Sequence, residues 1–221
     1  STDESGNPVV VWIEKTDNTV LGDIYAQKVN STGSRVWSQD VHVNIQRGSD
    51  SYLQPKVFVS HDNIIVVWTD NTYVRAQKLD VDGVKLWSDD VYVEDDFGGN
   101  YESAVWGYDT NAVIIVWRHR GVNGDNILAQ SIDENGGRLW GVDNRVNTRS
   151  GAVWQGLFAI AADKTGEAAI VWYDERNGAY DIYGKYLDAD GNDLWAADMR
   201  INSGSAKHQS TPAVAVDSSG N

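Results

Sequence analysis

A chain of 221 residues, 41% of them hydrophobic, can bury a sizeable interior, and its length fits one large all-β domain or two small ones. Its 18 basic and 32 acidic side chains leave a formal charge of −14, which repels phosphate backbones and argues against nucleic acid as a partner; a solvated acidic face is the plainer use of that charge. Without cysteine there is no disulfide framework, thiolate metal site or cysteine nucleophile, and no apolar run of about 18 residues is present to enter a bilayer.

The N-terminal text STDESGNPVV is not a signal peptide. Residues 6–14, GNPVVVWIE, read as a strand ending in Trp12, and β-branched apolar runs end the same way at Trp68, Trp117 and Trp172. After the first run comes Asp23–Asn44, DIYAQKVNSTGSRVWSQDVHVN. The same pattern returns at Tyr73–Glu94, Asn126–Asn147 and Asp181–Asn202. In each copy a Gly (Gly33, Gly83, Gly136, Gly191) stands four residues before a Trp (Trp37, Trp87, Trp140, Trp195), and an Asp (Asp40, Asp90, Asp143, Asp198) follows that Trp by three. The two Trp series advance together with a period of about 53 residues, the mark of a repeat architecture.

The copy at Ser150–Asn202 shows four strand signals most clearly: Leu157–Asp163, Glu167–Asp174, Asp181–Asp188 and Asp193–Asn202, separated by turn residues. Strands one and two are nearly continuous apolar runs, as expected when both faces are covered; strands three and four alternate more. No stretch keeps a 3.6-residue apolar period. Four short antiparallel strands per repeat predict an all-β, four-bladed β-propeller over residues 1–221, with blade 1 from 209–221 plus 1–44, blade 2 at 51–94, blade 3 at 100–147 and blade 4 at 154–202. Residues 209–221 form a first strand with nothing after it. The matching loop texts Asp3–Asn7 and Asp217–Asn221 therefore predict closure by pairing of the N- and C-terminal strands, which would remove the exposed sheet edges. Two rivals are half of an eight-bladed ring made by two chains, and a slice of a longer array.

The hairpin LDADGNDLW resembles the tryptophan-docking turn of quinoprotein-type propellers, although its Asp-to-Gly spacing of three (Asp188 to Gly191) is one shorter. The whole repeat, VWYDERNGAYDIYGKYLDADGNDLW, is more similar to repeats of secreted or surface bacterial propeller proteins. That resemblance spans the full chain and implies an extracellular or cell-surface location. It brings no quinone site, since nothing beyond the turn matches quinone ligands.

A residue kept in all four repeats serves something every repeat needs, so both Trp series are read as packing pieces between sheets. Asp40, Asp90, Asp143 and Asp198 are read as acceptors for backbone N–H groups in a bend. Glu14, Asp70, His119 and Asp174 recur two residues past the second-strand Trp and look like a metal ring. Strands about 4.8 Å apart would hold them too far from one another for metal–ligand bonds of roughly 2.0–2.6 Å, so a local role is expected, with Asp174 holding Arg176 or its loop. The turn Asp188–Asp193 has a calcium-loop flavour, but Met199 stands where an EF-hand needs its Glu; a hairpin with Gly at positive φ explains the text equally well. No cofactor is expected, with calcium the one left open.

The residues that do not recur carry the functional expectation. Aligned approaches to strand one place Ser51, Asn100, Trp154 and His208 at one position, and Tyr52, Tyr101, Gln155 and Gln209 at the next, on loops opening at the channel mouth. With Arg118 and Arg176 from the loops after strand two, the predicted ligand rim is Trp154, Tyr101, Tyr52, His208, Asn100, Arg118 and Arg176. Aromatics beside charged and amide groups suit sugars or peptide side chains; the plain alternative is that they plug the channel. The expected function is a non-catalytic binding module for glycan or protein. The alternatives are a glycan-active enzyme using carboxylates on the same face and a structural spacer in a larger surface protein. There is no HExxH, close His pair or phosphate loop to direct the choice towards catalysis.

Overall fold

The computed structural model of the chain describes residues 2–15, 22–46, 54–60, 63–70, 72–95, 99–109, 112–121, 124–148, 155–204 and 207–217, with only the backbone of Asn100, Tyr108, Asp109 and residues 155–157. Every regular element among them is a strand: β1 (Val9–Lys15), β2 (Gly22–Lys28), β3 (Val41–His42), β4 (Lys56–Ser60), β5 (Asn63–Thr69), β6 (Val74–Leu79), β7 (Val91–Tyr92), β8 (Asn100–Asp109), β9 (Ala112–Gly121), β10 (Gly124–Asp133), β11 (Asn144–Arg145), β12 (Gln155–Ala162), β13 (Ala168–Asp174), β14 (Asp181–Leu187) and β15 (Met199–Arg200). Consecutive strands form four antiparallel sheets, β1–β3, β4–β7, β8–β11 and β12–β15.

The hairpin tips share one device. Asp163 Oδ1 accepts the N–H groups of Thr165 (2.8 Å) and Glu167 (3.1 Å), which leaves Gly166 at φ +91°. Asn30, Asp80, Asp133 and Asp188 do the same ahead of Gly33, Gly83, Gly136 and Gly191, at φ +78°, +83°, +80° and +81°. Only glycine takes that backbone region without strain. In the turn with the calcium-loop flavour, Asp188 Oδ1 holds the N–H groups of Asp190 and Asn192 while Oδ2 accepts from Asn192 Nδ2 (3.0 Å). These bonds, that from Asn192 foremost, lower the pKa of Asp188.

The core lies between sheets. Ile24, Trp37 and Val43 of sheet one pack with Val59, Ile64, Val66 and Trp68 of sheet two. Val67, Trp87 and Val93 meet Val113, Ile115 and Trp117 at the next seam, and Ile114, Trp140 and Val146 meet Ile160, Ile170 and Trp172 at the third. Each seam is fixed by the same hydrogen bond: Trp37, Trp87 and Trp140 donate from Nε1 to the carbonyls of Val81, Glu134 and Ala189 in the next sheet, at 2.9, 3.0 and 2.9 Å. The Asp that follows each Trp by three residues works in the opposite sense. Asp90 accepts the N–H groups of Ile45 (2.9 Å) and Gln46 (2.9 Å) from sheet one, Asp143 that of Asp95 (2.8 Å), and Asp198 that of Thr148 (3.0 Å).

Three expectations need correction. The fourth strand, expected over Asp193–Asn202, is a strand only at Met199–Arg200, with a single isolated bridge from Asp193 to Leu187 ahead of it. In the other sheets the residues ahead of that pair make a folded excursion tied to a buried side chain: Gln130 Nε2 donates to the Trp140 and Val142 carbonyls (both 3.3 Å) and Oε1 accepts the Trp140 N–H (3.0 Å), Gln27 makes the same set, and Gln77 donates to the Asp89 carbonyl (3.4 Å), while in sheet four Lys185 stands in that position and donates to Asp193 (2.7 Å). Side-chain bonds there replace the ladder. Burial, expected highest in strands one and two, is highest in two and three: β5 is covered along all but its first residue and β6 along its whole length. Both are inner strands of their sheet, and Gln77 hides among the apolar side chains because its amide is bonded. Finally, the closing pair does not appear among the described residues: there β1 has β2 alone beside it, so sheet one is three-stranded, and residues 207–217 carry no strand.

Candidate functional site

Sheets three and four differ from the others at the ends where β8 and β12 begin beside the ends of β9 and β13. β8 begins two residues before a bulge: Tyr101 pairs with Arg118 and Ser103 with Trp117, leaving Glu102 between them at φ +45°. That is the left-handed region, costly for a residue with a Cβ. One oxygen of Glu102, Oε2, is buried and finds no hydrogen-bond partner among the described residues.

Its neighbour Tyr101 packs against Arg118 and Arg120, whose guanidinium carbons lie 5.2 and 4.8 Å from the ring centroid. Asp125 holds both arginines, with N–O distances of 3.6 and 3.4 Å. Arg118 is buried, whereas Arg120 is half in solvent. Register explains the grouping. Arg118 and Arg120 are two residues apart on β9 and share a face, and Asp125 sits opposite Arg120 on β10.

Sheet four supplies the other wall. The Tyr173 ring lies 5.0 Å from Tyr180, which lies 4.6 Å from the exposed His208; the Tyr180 N–H also donates to His208 Nδ1 (3.1 Å). The two walls sense each other electrostatically. Burial chiefly raises the Tyr173 phenol, the negative charge of Glu102 adds to this, and Arg118 opposes it. The Glu102 carboxylate, the half-exposed Arg120 guanidinium and the rings of Tyr173, Tyr180 and His208 thus supply hydrogen-bond acceptor, donor and apolar surface at neighbouring sheets.

Of the expected rim, Tyr101 and Arg118 are in contact, and His208 packs on Tyr180 of sheet four. Tyr101 and Asn100 stand at the head of β8 rather than on a loop, because the strand runs further than its apolar text. Trp154 and Tyr52 lie outside the described residues, as does the Asn100 side chain. Arg176 is spent on structure: it bridges Asp174 (2.6 Å) and Asp198 (2.8 Å) and covers the Tyr183 ring at 3.9 Å. Asp174 thus does hold Arg176, and Asp70 likewise accepts the N–H of Tyr73 (2.7 Å). Glu102, Asp125 and Tyr173 were not singled out from the sequence. Tyr173 and Arg120 were visible as departures from the repeat, whereas the bulge that turns Glu102 inward leaves no sequence signal.

An open recess of about 290 Å³ lies at the other strand ends, between Phe58, Lys78 and Glu134 of sheets two and three. Lys78 and Trp87 both donate to the Glu134 carbonyl there, so it belongs to the seam.

No protein-family model matches the chain, and no curated protein is significantly similar to it. Among solved structures it is similar to an endo-arabinase from Bacteroides thetaiotaomicron VPI-5482, at 14% identity over 89% of this chain and 80% of that one, with a TM-score of 0.47. A likeness of that depth carries no argument about what this chain binds or does.

Proposed function

We propose that the chain is a propeller-type, non-catalytic binding module displayed outside the cell, and that it holds a glycan between Glu102, Arg120, Tyr173, Tyr180 and His208. The observation that carries this reading is Glu102. Its backbone is held at φ +45°, and an inward carboxylate oxygen has no hydrogen-bond donor among the described residues. A left-handed glutamate and an unmade bond are both costly, and sites that keep such costs are commonly those that bind. Glu102 as a whole is only half-buried, so sugar hydroxyls can donate to the carboxylate at its outer side and accept from Arg120, while the rings of Tyr173 and Tyr180 offer apolar surface to the sugar's C–H face.

The test is a panel of neutral and acidic oligosaccharides read by microarray and then titration calorimetry. A hit should weaken about tenfold or more in Glu102→Gln and in Tyr180→Ala, with the thermal midpoint within a few degrees of wild type. Turnover of the bound glycan would replace this reading by the enzymatic one. Retention of full affinity by both variants would move the site elsewhere.

A further inference from the structure

The three filled seams leave one half of the device over at each end of the chain. Trp37, Trp87 and Trp140 are 7%, 8% and 6% exposed, but Trp195, at the same repeat position, is 38% exposed. No hydrogen bond from its Nε1 is found among the described residues. Val43, Val93 and Val146 are fully covered, yet Ile201 in their position is 52% exposed. At the other end, a Cβ on Gly83 would stand 3.1 Å from Trp37 and one on Gly191 2.8 Å from Trp140, whereas around Gly33 there is nothing within 4 Å. The slot that a Trp ring fills in the other turns is vacant. Val10 is 49% exposed where Val66, Ile115 and Ile170 are buried at a seam. Asp40, unlike Asp90, Asp143 and Asp198, has only Gln27 and Arg35 of its own sheet as partners among the described residues.

These leftovers are complementary in kind and number. By repeat position, Trp195 Nε1 matches the Ser31 carbonyl, its ring matches Gly33, and Asp40 matches the N–H of Ser203. The β1 edge is open as well, and exposure alternates residue by residue from Thr211 to Asp217 although that segment joins no ladder. Equating Asp217 with Asp163, the turn residue after β12, puts Ala215 opposite Val9 and Ala213 opposite Val11, by analogy with the pairing of Ile160 with Ile170 and its neighbours.

We propose that a second copy of this chain fills both faces: sheet four of each copy docks on sheet one of the other, and residues 211–217 complete the partner's first sheet. Had three seams turned the chain through three quarters of a circle, sheet four would cover sheet one, and Trp195 would be as buried as Trp140. The arc is more open than that. Two identical arcs joined head to tail close a ring in which both new seams repeat the three existing ones. A heterologous contact of this sort closes only if the rotation fits, so the number of copies is itself a readout.

Sedimentation velocity of the 221-residue chain from about 1 to about 100 μM should show a species of twice 24.4 kDa at the upper end. Trp195→Ala and, at the opposite end, Val10→Glu should each raise the dissociation constant about tenfold or more, since a central Trp is a common hot spot. Both positions are solvent-exposed in the single chain, so the thermal midpoint of dilute protein should stay put. A chain that remains at 24.4 kDa throughout, a ladder of ever larger species, or a dimer indifferent to both substitutions overturns the proposal. So does a monomer that Trp195→Ala destabilises as much as Trp140→Ala, because the seam would then be filled within one chain.

Discussion

Trp140 and Trp195 occupy the same place in successive repeats, yet only the first is part of a finished interface. Trp140 donates to the Ala189 carbonyl, lies over Gly191, and is followed by Asn144, whose amide reaches the Gly191 carbonyl. Among the described residues Trp195 has Tyr186 of its own sheet as its ring partner, at 5.8 Å. Local sequence is matched in the two cases, down to the Gly four residues before and the Asp three after. The difference therefore lies in what the next sheet provides. Stability in this chain is a property of seams rather than of sheets, as expected of stacked repeats that cannot bury their faces alone.

Truncation of the indole measures that difference most directly. Trp140→Ala removes a buried ring and strands a carbonyl, and should lower the unfolding free energy by about 3–5 kcal/mol in urea titrations. Trp195→Ala in dilute, monomeric chain should cost less than about 1 kcal/mol. Equal costs would mean that the end faces are covered in solution.

The pattern of Trp, Gly and Asp was legible because each residue type meets a requirement repeated at every seam: a ring to wedge, a turn without a Cβ, and an acceptor for backbone N–H groups. The buried Gln27, Gln77 and Gln130 were equally regular in the text but gave no signal of their task, since a glutamine in an alternating strand reads as an outward-facing residue. Its burial follows from an excursion of the chain that only the fold displays. Asn44, Asn147 and Asn202 were likewise in plain view; each accepts the N–H of an isoleucine twenty residues earlier, at 2.6, 2.8 and 2.8 Å. In the site, Arg118 and His208 stood out as departures from the repeat. Glu102 did not, because a bulge depends on the register of two strands and not on the identity of one residue.

Glu94 is where the repeat breaks its own rule, and it supplies the second comparison. It stands in the asparagine position and accepts the Val74 N–H (2.8 Å), but brings a charge to a buried place beside Asp143 and Asp70. Burial first, and then those two carboxylates, push its pKa up to about 8. The sign follows directly. With its folded pKa above the unfolded one, the carboxyl is protonated in the folded chain at mildly acidic pH, and stability falls as pH rises from about 4.5 to about 8. Glu94→Gln keeps an acceptor for Val74 without the charge. It should flatten that fall and add on the order of 3 kcal/mol at pH 9, with little change at pH 4. A parallel pH profile for variant and wild type would show that Glu94 is solvated.

The smallest effect separates the two ends of the interface from the acceptor side. Asp90 takes two backbone N–H groups from sheet one and is almost fully buried, while Asp40 makes an exposed pair with Arg35. Asp90→Ala leaves two donors unmet inside a seam and should cost about 1–3 kcal/mol. Asp40→Ala loses a surface ion pair and one tie to Gln27, which amounts to roughly 1 kcal/mol or less in dilute chain. The comparison then depends on concentration. If Asp40 receives the Ser203 N–H of another molecule, its substitution becomes more costly as the protein is concentrated, whereas the cost at Asp90 stays the same. Urea midpoints for both variants at about 1 and about 100 μM separate the two behaviours, because a contact between molecules adds stability by mass action and a contact within one does not.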